Sequence, residues 1–352
     1  HTRNAEQGTV RQAILNDKKE PIMRTGILLC NLGTPDYPTT GSVARYLWSF
    51  LRDPRVVSVS PWIWWPLLGG IILPLRSPKS AAKYRAIWCE EGSPLRFLTG
   101  NLARSVQAEL AAQGQSMEVA IGMRYGTPSL AGALDELLEC DITHMMILPL
   151  YPQYASSSTG SMLQQIHTSL ASRIRIPSTL MIDHYACDAH YISALADRIR
   201  SLWHNDGGAG EKLIISFHGI PENQVQAGDP YPDLCRKTAL ELAHALELPD
   251  DRWVLAYQSR FGRGRWLLPN TQDILHHLGS KQMRNVDIVC PGFAVDCLET
   301  LEEISIGGAE IFCNAGGGCL RYIPALNDSE LHVKALSAMI MKRLPLLWRG
   351  GG

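Results

Sequence analysis

A histidine that follows a short apolar run is the first candidate for chemistry in this chain. The run 213–215 reads as a buried strand, and His218 comes shortly after it, directly before Gly219. In open α/β sheets, ligands bind in the crevice outside the carboxyl ends of the strands. An imidazole at that place can transfer a proton or bind a metal. A histidine that packs in the core or caps a turn is the alternative, and His218 alone does not decide between them.

A second block, residues 290–304, follows another strand-like run at 286–289 and carries spaced carboxylates. Asp296, Glu299 and Glu303 lie three and four residues apart, so a helix that starts near Asp296 would place them along one stripe. Such a stripe is often only a solvated helix face, and acids in a first turn also complement the helix dipole. Because this stripe begins on the sheet edge that carries His218, we expect a site for a hard divalent cation.

Composition places the chain among ordinary globular proteins. Its 352 residues are 45% hydrophobic and 19% charged, which is enough length for two cores. A formal net charge of −1 argues against nucleic acid as the main partner. The nine cysteines are scattered, and we expect reduced thiols in a cytoplasmic protein. Residues 1–22 are polar and mixed in charge, and we expect a loosely ordered extension rather than a targeting segment.

The segment 61–75 is more apolar than a surface loop should be. It contains three tryptophans, but three prolines and two glycines interrupt it, so we expect a loop-like segment and exclude a regular membrane-spanning helix. Apolar surface of this kind covers an apolar ligand, a partner or a bilayer surface. A loop buried against its own domain is the alternative.

Apolar runs alternate with helical patterns along the chain, which predicts an α/β fold of two doubly wound, Rossmann-like lobes with parallel sheets. A missing Gly-x-Gly-x-x-Gly fingerprint makes an NAD-linked oxidoreductase the weaker reading of such a fold. We expect a first lobe over 23–155, a second lobe with the metal site over 156–328, and a final helix over 329–352 that packs back on the first lobe. The ligand site should lie in the cleft between the lobes. The predicted strands are 24–31, 118–122, 142–150, 179–183, 212–217, 253–257, 286–290 and 310–313, and the predicted helices are 40–51, 77–112, 129–139, 188–203, 233–246 and 272–278.

Several motifs in a fixed order resemble one family. The chain is similar to ferrochelatase, the enzyme that catalyses the last step of haem synthesis, and in particular to its proteobacterial form. The resemblance runs nearly from end to end of the sequence. It is carried by the segments Gly26–Pro35, Phe50–Val56, Gly92–Pro94, Leu148–Tyr154, Ser216–Pro221, Gln258–Gly262, Trp266–Pro269, Cys290–Phe293 and Tyr322–Asn327.

The resemblance implies roles for the residues already singled out. The active-site histidine of the family falls on His218 and its glutamate on Glu299, either of which is a candidate proton acceptor or metal ligand. Asp296 and Glu303 match an acidic path for metal or protons, and Cys297 stands where animal members have a histidine.

The resemblance also implies the substrate contacts. Positions matching contacts to the porphyrin propionates are Arg76, Lys79, Tyr84 and Ser93, and guanidinium and ammonium groups suit carboxylates by charge. Arg124 and Tyr125 match pocket residues opposite the histidine. Leu32 is aliphatic where relatives that use coproporphyrin often carry an aromatic residue, which favours protoporphyrin IX as the substrate.

Iron enters this scheme as Fe²⁺, a substrate. We expect no permanently bound cofactor, and in particular no [2Fe–2S] cluster of the animal type, because the final helix is not followed by a cysteine triad. The segment 61–75 aligns with the apolar lip that covers the macrocycle in the family. The resemblance therefore implies a cytoplasmic enzyme that contacts the inner membrane peripherally through this segment.

The expected reaction inserts Fe²⁺ into protoporphyrin IX with release of two protons. His218 is the candidate to accept a pyrrole proton, with Glu299 and the acidic stripe moving protons or iron. The reverse assignment makes His218 the first metal ligand and Glu299 the base. Rival readings are a coproporphyrin ferrochelatase, a non-catalytic porphyrin or haem carrier on the same fold, and a cobalt or sirohaem chelatase.

Overall fold

The computed structural model describes residues 23–260 and 264–349, in which eight strands form two four-stranded parallel sheets. The extension predicted at 1–22 lies outside these residues. The first sheet has the order β2-β1-β3-β4 and the second the order β6-β5-β7-β8, so both have the same topology. The strands are β1 Thr25–Gly33, β2 Met117–Tyr125, β3 His144–Pro149, β4 Ser178–Met181, β5 Lys212–His218, β6 Trp253–Gln258, β7 Asn285–Val289 and β8 Cys319–Ile323.

The central strands are apolar runs because helices cover both faces of each sheet. Ile27, Leu28 and Leu29 on β1 are fully buried, as are Ile214 and Ile215 on β5. The prediction of two parallel, doubly wound lobes is confirmed. The α-helices are α1 Thr40–Leu51, α2 Pro61–Leu67, α3 Leu73–Ile87, α4 Pro94–Ala112, α5 Leu130–Glu139, α6 Ser161–Ala171, α7 Ala189–Asn205, α8 Glu222–Gln226, α9 Tyr231–Ala245, α10 Thr271–Ser280, α11 Ala309–Asn314 and α12 Glu330–Arg349.

The single long helix predicted over 77–112 is wrong, since the structure has two helices there, α3 and α4. Trp88 ends α3 in an extended conformation, and Gly92 has a φ of +103°, which L-residues with a side chain rarely adopt. Pro94 then begins α4 at a position that needs no N–H donor. These three residues make a turn in what otherwise reads as a continuous helical pattern.

The strand predicted at 310–313 is also wrong, because those residues lie in α11 and the strand of that region is β8. A short apolar run does not distinguish a helix from a strand by its pattern. The intervening glycines allow a close approach of the backbone: a Cβ on Gly318 would lie 2.3 Å from the carbonyl oxygen of Arg284.

The chain leaves the first sheet later than the boundary predicted at 155–156. β4 pairs with β3, so the connection through α6 still belongs to the first sheet, which ends at Met181. β4 is a short edge strand that is not fully buried, which makes its sheet membership hard to read from the sequence. The final helix, α12, packs against α4, β3 and β4 of the first sheet as well as α7.

The segment 61–75, here called the apolar lip, is helical rather than the predicted loop. It comprises α2, a π-helix at Leu68–Ile72 and the start of α3. Pro61 occupies the first turn of α2, and the wider π register lets the N–H of Leu73 bond to the carbonyl of Leu68 just before Pro74. Across the described residues, no helix is long and apolar enough to span a membrane.

The apolar lip has one face in a core and one face in solvent. Trp64 and Leu68 are buried against Val43 and Leu47 of α1, and the Trp64 indole N–H donates to the carbonyl of Leu51 at 2.7 Å. On the other face, Trp62 is 91% exposed and Leu75 is 69% exposed. The apolar lip therefore exposes an apolar surface to solvent on one face, while its other face packs against α1.

Candidate active site

One large cavity of about 1090 Å³ lies where the carboxyl ends of β1 and β5, the apolar lip and the segment 290–303 meet. A volume of this size suits a drug-sized or larger organic ligand. The cavity has walls from both lobes, as the sequence predicted. Of the predicted site residues, it is lined by Leu32, Arg76, Lys79, Tyr84, Ser93, His218, Glu299 and Glu303.

His218 is the last residue of β5 and lines the cavity. Its Nδ1 lies 2.7 Å from the carbonyl oxygen of Gly219, which can only accept, so the neutral ring carries its hydrogen on Nδ1. The lone pair is then on Nε2, where it can accept a proton or bind a metal. Gly219 is required at the turn, because a Cβ there would lie 2.9 Å from the carbonyl oxygen of Gln258.

Glu303 is held at the cavity wall by Ser259, the residue that follows β6. The Ser259 N–H donates to Oε1 at 2.8 Å, and its hydroxyl donates to Oε2 at 2.5 Å. Ser259 has a φ of +64°, an uncommon conformation for a residue with a side chain. Burial raises the pKa of Glu303, and nearby Glu299 raises it further, while the bonds from Ser259 and the charge of His218 oppose the shift. The net effect is a carboxyl that holds a proton more readily than an ordinary glutamate.

Glu299 begins a π-helix at Glu299–Gly308, which starts three residues later than the helix predicted from Asp296. Gln258 fixes this start, since its side-chain amide donates to the carbonyl of Glu299 at 2.9 Å. The amide oxygen of Gln258 accepts in turn from the hydroxyl of Ser216 on β5 at 2.8 Å. Burial raises the pKa of Tyr84, and Tyr46 and the charge of Glu299 raise it further, so this phenol is neutral.

Asp296 does not line the cavity. Its carboxylate is buried and accepts hydrogen bonds from Thr300 at 2.8 Å, Tyr322 at 2.5 Å and the side-chain amide of Asn327 at 2.7 Å. The predicted stripe assumed an α-helix that included Asp296, whereas this residue precedes a π-helix of different pitch. Within residues 23–260 and 264–349, no three His, Cys, Asp or Glu side chains converge as a metal-binding group. The stripe of three carboxylates is therefore wrong, because Asp296 lies away from the cavity that Glu299 and Glu303 line, and a cation site at these two residues stays a prediction.

A second wall of the cavity comes from α3 and the turn before α4. Arg76 and Lys79 lie along the same side of α3 and both line the cavity, and burial lowers the pKa of Arg76. Ser93 shares a hydrogen bond of 2.8 Å with Thr34, the residue after β1. Tyr84 is buried in this wall. The wall thus combines cationic and phenolic groups with apolar surface.

Arg124 and Tyr125 lie behind the cavity wall instead of in it. The guanidinium of Arg124 and the hydroxyl of Tyr125 each donate to Oδ2 of Asp53 at 2.7 Å. Burial raises the pKa of Asp53, but hydrogen bonds from Ser161 and Tyr125 and the charge of Arg124 outweigh it, so the pKa lies below its usual value. The edge of the Tyr125 ring contacts Phe50, a cavity-lining residue, with ring centroids 5.2 Å apart.

Among the cavity-lining residues that were not anticipated as site residues, three make contacts that bear on the site. Lys83 and Glu302 line the cavity and form an ion pair of 2.7 Å between α3 and the π-helix Glu299–Gly308. Ser259, which holds Glu303, belongs to a motif that carried the family resemblance but had no role assigned. The position of Lys83, four residues beyond Lys79 on a predicted helix, is the only sequence signal that pointed to this pair.

Solved structures support the fold. SirB from Bacillus subtilis with Fe3+ aligns with 91% of this chain and 95% of its own, with a TM-score of 0.51 and 11% sequence identity. The sirohydrochlorin chelatase SirB from Bacillus subtilis subspecies spizizenii in complex with cobalt aligns over the same shares, with a TM-score of 0.52 and 10% identity. At such low identity these likenesses show a shared chelatase fold and nothing finer.

Sequence relatives establish the family. The sequence model of the ferrochelatase family matches residues 24–344. Ferrochelatase of Methylococcus capsulatus is 48% identical over 323 residues, 92% of this chain and 98% of that protein. Ferrochelatase of Klebsiella pneumoniae is 47% identical over 313 residues, 89% of this chain and 96% of that protein. Ferrochelatase of Nitrosococcus oceani is 44% identical over 327 residues, 93% of this chain and 89% of that protein. With these matches over nearly all of its described length, the chain belongs to the ferrochelatase family.

Proposed function

We propose that this protein inserts Fe²⁺ into protoporphyrin IX and releases two protons, the last step of haem biosynthesis. The observation that carries the proposal is that one cavity contains both a proton-accepting wall and a carboxylate-binding wall. His218, Glu299 and Glu303 line the first wall, and Arg76 and Lys79 line the second. A porphyrin that bears propionates on one edge and pyrrole protons at its centre needs both walls at once.

Substrate binding depends on the second wall. Arg76 and Lys79 attract the propionates, and Tyr84 and Ser93 offer hydroxyl groups beside them. Leu32 and the lip residue Trp64, which both line the cavity, contact the ring faces. A rigid pocket that holds the ring out of plane turns the nitrogen lone pairs towards the incoming metal, and the binding energy of the propionates offsets the strain.

Proton removal depends on the first wall. Four iron–nitrogen bonds form, and the two pyrrole N–H bonds break, so two protons must leave the ring for each Fe²⁺ that enters. His218 accepts a pyrrole proton on Nε2, because Nδ1 donates to Gly219. Glu303, whose raised pKa favours protonation, and Glu299 pass protons or deliver iron. The alternative within the same site makes His218 the first iron ligand and Glu299 the base.

Asp296 has a different part in this proposal from the one expected in a metal path. Its carboxylate accepts from Thr300 in the first turn of the π-helix and from Tyr322 on β8. It therefore holds the start of the helix that carries Glu299. Iron is written here as substrate, and the proposal includes no [2Fe–2S] cluster or other resident cofactor.

The outward face of the apolar lip supports a finer proposal on location. Trp62 and Ile63 are 91% and 68% exposed, and an aromatic and aliphatic surface of this kind partitions into the interfacial region of a bilayer. We place the enzyme in the cytoplasm in peripheral contact with the inner membrane. Co-sedimentation with vesicles of anionic and zwitterionic lipid tests this: loss of binding in Trp62→Ser supports it, and no binding by the unaltered protein contradicts it.

The test of the function is anaerobic turnover with Fe²⁺ and protoporphyrin IX, followed by absorbance. Coproporphyrin III serves as competing substrate, and Zn²⁺ as a second metal. The Glu299→Gln variant should lose metalation while it still binds porphyrin, because the amide neither accepts a proton nor carries charge. Glu310→Gln, an exposed acid on α11, is the matched control and should keep full activity. Tight porphyrin binding without metalation by the unaltered protein would instead identify a carrier.

A further inference from the structure

Lys83 and Glu302 form an ion pair inside the substrate cavity that joins the two lobes. The ammonium of Lys83 on α3 lies 2.7 Å from Oε2 of Glu302 in the π-helix, and both residues line the cavity. The Glu302 side chain is 17% exposed, whereas that of Lys83 is 52% exposed. The carboxylate therefore lies at the inner side of the pair and the ammonium reaches it from the opening.

Lys83 adds a third cation to the cavity wall that carries Arg76 and Lys79. Residues 76, 79 and 83 are spaced three and four apart on α3, so they share one face of that helix. Arg76 and Lys79 are the proposed propionate contacts, and Lys83 is the next cation along the same wall. A carboxylate of the substrate that approached this position would find Lys83 already neutralised by Glu302 and would meet the negative charge of that side chain.

We propose that the Lys83–Glu302 pair selects porphyrins by their number of carboxylates, accepting two propionates and disfavouring four. Protoporphyrin IX carries two propionates and apolar vinyl groups, whereas coproporphyrin III carries two further propionates in place of the vinyls. A further carboxylate near Lys83 must displace Glu302 or lie beside it. Repulsion between like charges is one way in which a binding site disfavours the wrong ligand. This inference rests on the proposed function, since it names the substrate class of that same site.

The test compares the two porphyrins in three variants. Glu302→Gln removes the repelling charge and leaves Lys83 without its anion. The ratio of kcat/KM for coproporphyrin III to that for protoporphyrin IX should therefore rise by about tenfold. A larger effect is not expected, because Lys83 is half exposed and solvent screens its charge. In the double variant Glu302→Gln with Lys83→Gln this gain should disappear. Glu330→Gln breaks the Lys334–Glu330 pair on α12, outside the cavity, and is the matched control that should leave the ratio unchanged.

Lys83→Gln alone provides an independent arm if Glu302→Gln does not fold. It leaves Glu302 without its cation, so the preference for protoporphyrin IX should become stronger. An unchanged ratio in the folded variants, or equal changes for both porphyrins, would overturn the inference. Porphyrin affinity, measured by fluorescence quenching in the absence of metal, should follow the same ratios. If the unaltered protein bound porphyrins without metalating them, the proposed function would fail. The affinity ratios would still test whether the Lys83–Glu302 pair selects between the two porphyrins.

Discussion

Ser259 and Glu303 are joined by two hydrogen bonds that connect the end of β6 to the π-helix Glu299–Gly308 at the cavity wall. The backbone N–H and the hydroxyl of Ser259 donate to different oxygens of the carboxylate, at 2.8 Å and 2.5 Å. The left-handed backbone of Ser259, with a φ of +64°, aims both donors at Glu303. One residue in an unusual conformation thus fixes the orientation of a proton-accepting group.

Replacement of Ser259 should change the pH dependence of the reaction. Ser259→Ala removes one donor that stabilises the charged carboxylate, so the pKa of Glu303 should rise further. The acid limb of kcat against pH should move upward by the same amount if Glu303 must be ionised to accept a proton. Ser259→Gly also lacks the hydroxyl but relieves the backbone conformation, and it separates the two effects. Identical pH profiles for all three proteins would contradict a role of Glu303 in proton transfer.

His218 is the group whose loss should be most costly to turnover. His218→Ala removes the Nε2 acceptor, and we expect kcat to fall by about 10²- to 10⁴-fold, the usual contribution of a positioned base. The matched control is His276→Ala, an exposed histidine on α10, which should retain full turnover. Circular dichroism checks that both variants are folded. Near-normal turnover in a folded His218→Ala protein would rule out this residue both as base and as metal ligand.

The buried pair of Asp53 and Arg124 should make stability depend on pH on the acid side. The pKa of Asp53 is lowered in the folded protein, so its contribution is complete above the unfolded value of about 3.9 and is lost as the pH falls through the folded value. The free energy of unfolding, measured with urea, should therefore start to fall as the pH drops below about 4 and should keep falling until the lowered folded pKa of Asp53 is passed.

Asp53→Asn tests the same pair at neutral pH. The variant leaves the guanidinium of Arg124 without its buried anion, and we expect a loss of about 3 kcal/mol of unfolding free energy. Its stability should also vary less with acid pH than that of the unaltered protein. Because Tyr125 supports Phe50 in the cavity wall, KM for the porphyrin should rise. If acid lowered the unfolding free energy of both proteins equally, other carboxylates would be responsible for that loss.

Two tryptophans of the apolar lip, two residues apart, should differ in how much their replacement by alanine lowers the free energy of unfolding. Trp64 is buried and donates to Leu51, so Trp64→Ala should cost about 3–5 kcal/mol of unfolding free energy. Trp62 is 91% exposed, and Trp62→Ala should alter stability by less than about 0.5 kcal/mol. Thermal and urea unfolding measure both. Comparable losses in the two variants would mean that the outer face of the lip is packed against protein.

The sequence alone determined the α/β alternation, the parallel sheets and the place of His218 at a strand end. These features follow from local patterns, because an apolar run between turn residues specifies a buried strand wherever it occurs. Helix α1 shows this most clearly: Thr39 caps its first turn, and its predicted bounds match the structure. The residues proposed to contact the propionates, which were named through the family resemblance, line the cavity, and their contacts to substrate stay a prediction.

Only the tertiary structure decided which distant groups meet. The Lys83–Glu302 pair joins residues 219 positions apart, and the bond from Arg124 to Asp53 spans 71 positions. The π-helix that begins at Glu299 leaves Asp296 outside it, and its first carbonyl accepts a hydrogen bond from Gln258, 41 positions away. Sequence periodicity reports which face of an element is apolar, but it carries no information about the partner across a cavity. Burial and hydrogen bonding between the two lobes select that partner, because a buried polar group without one is costly.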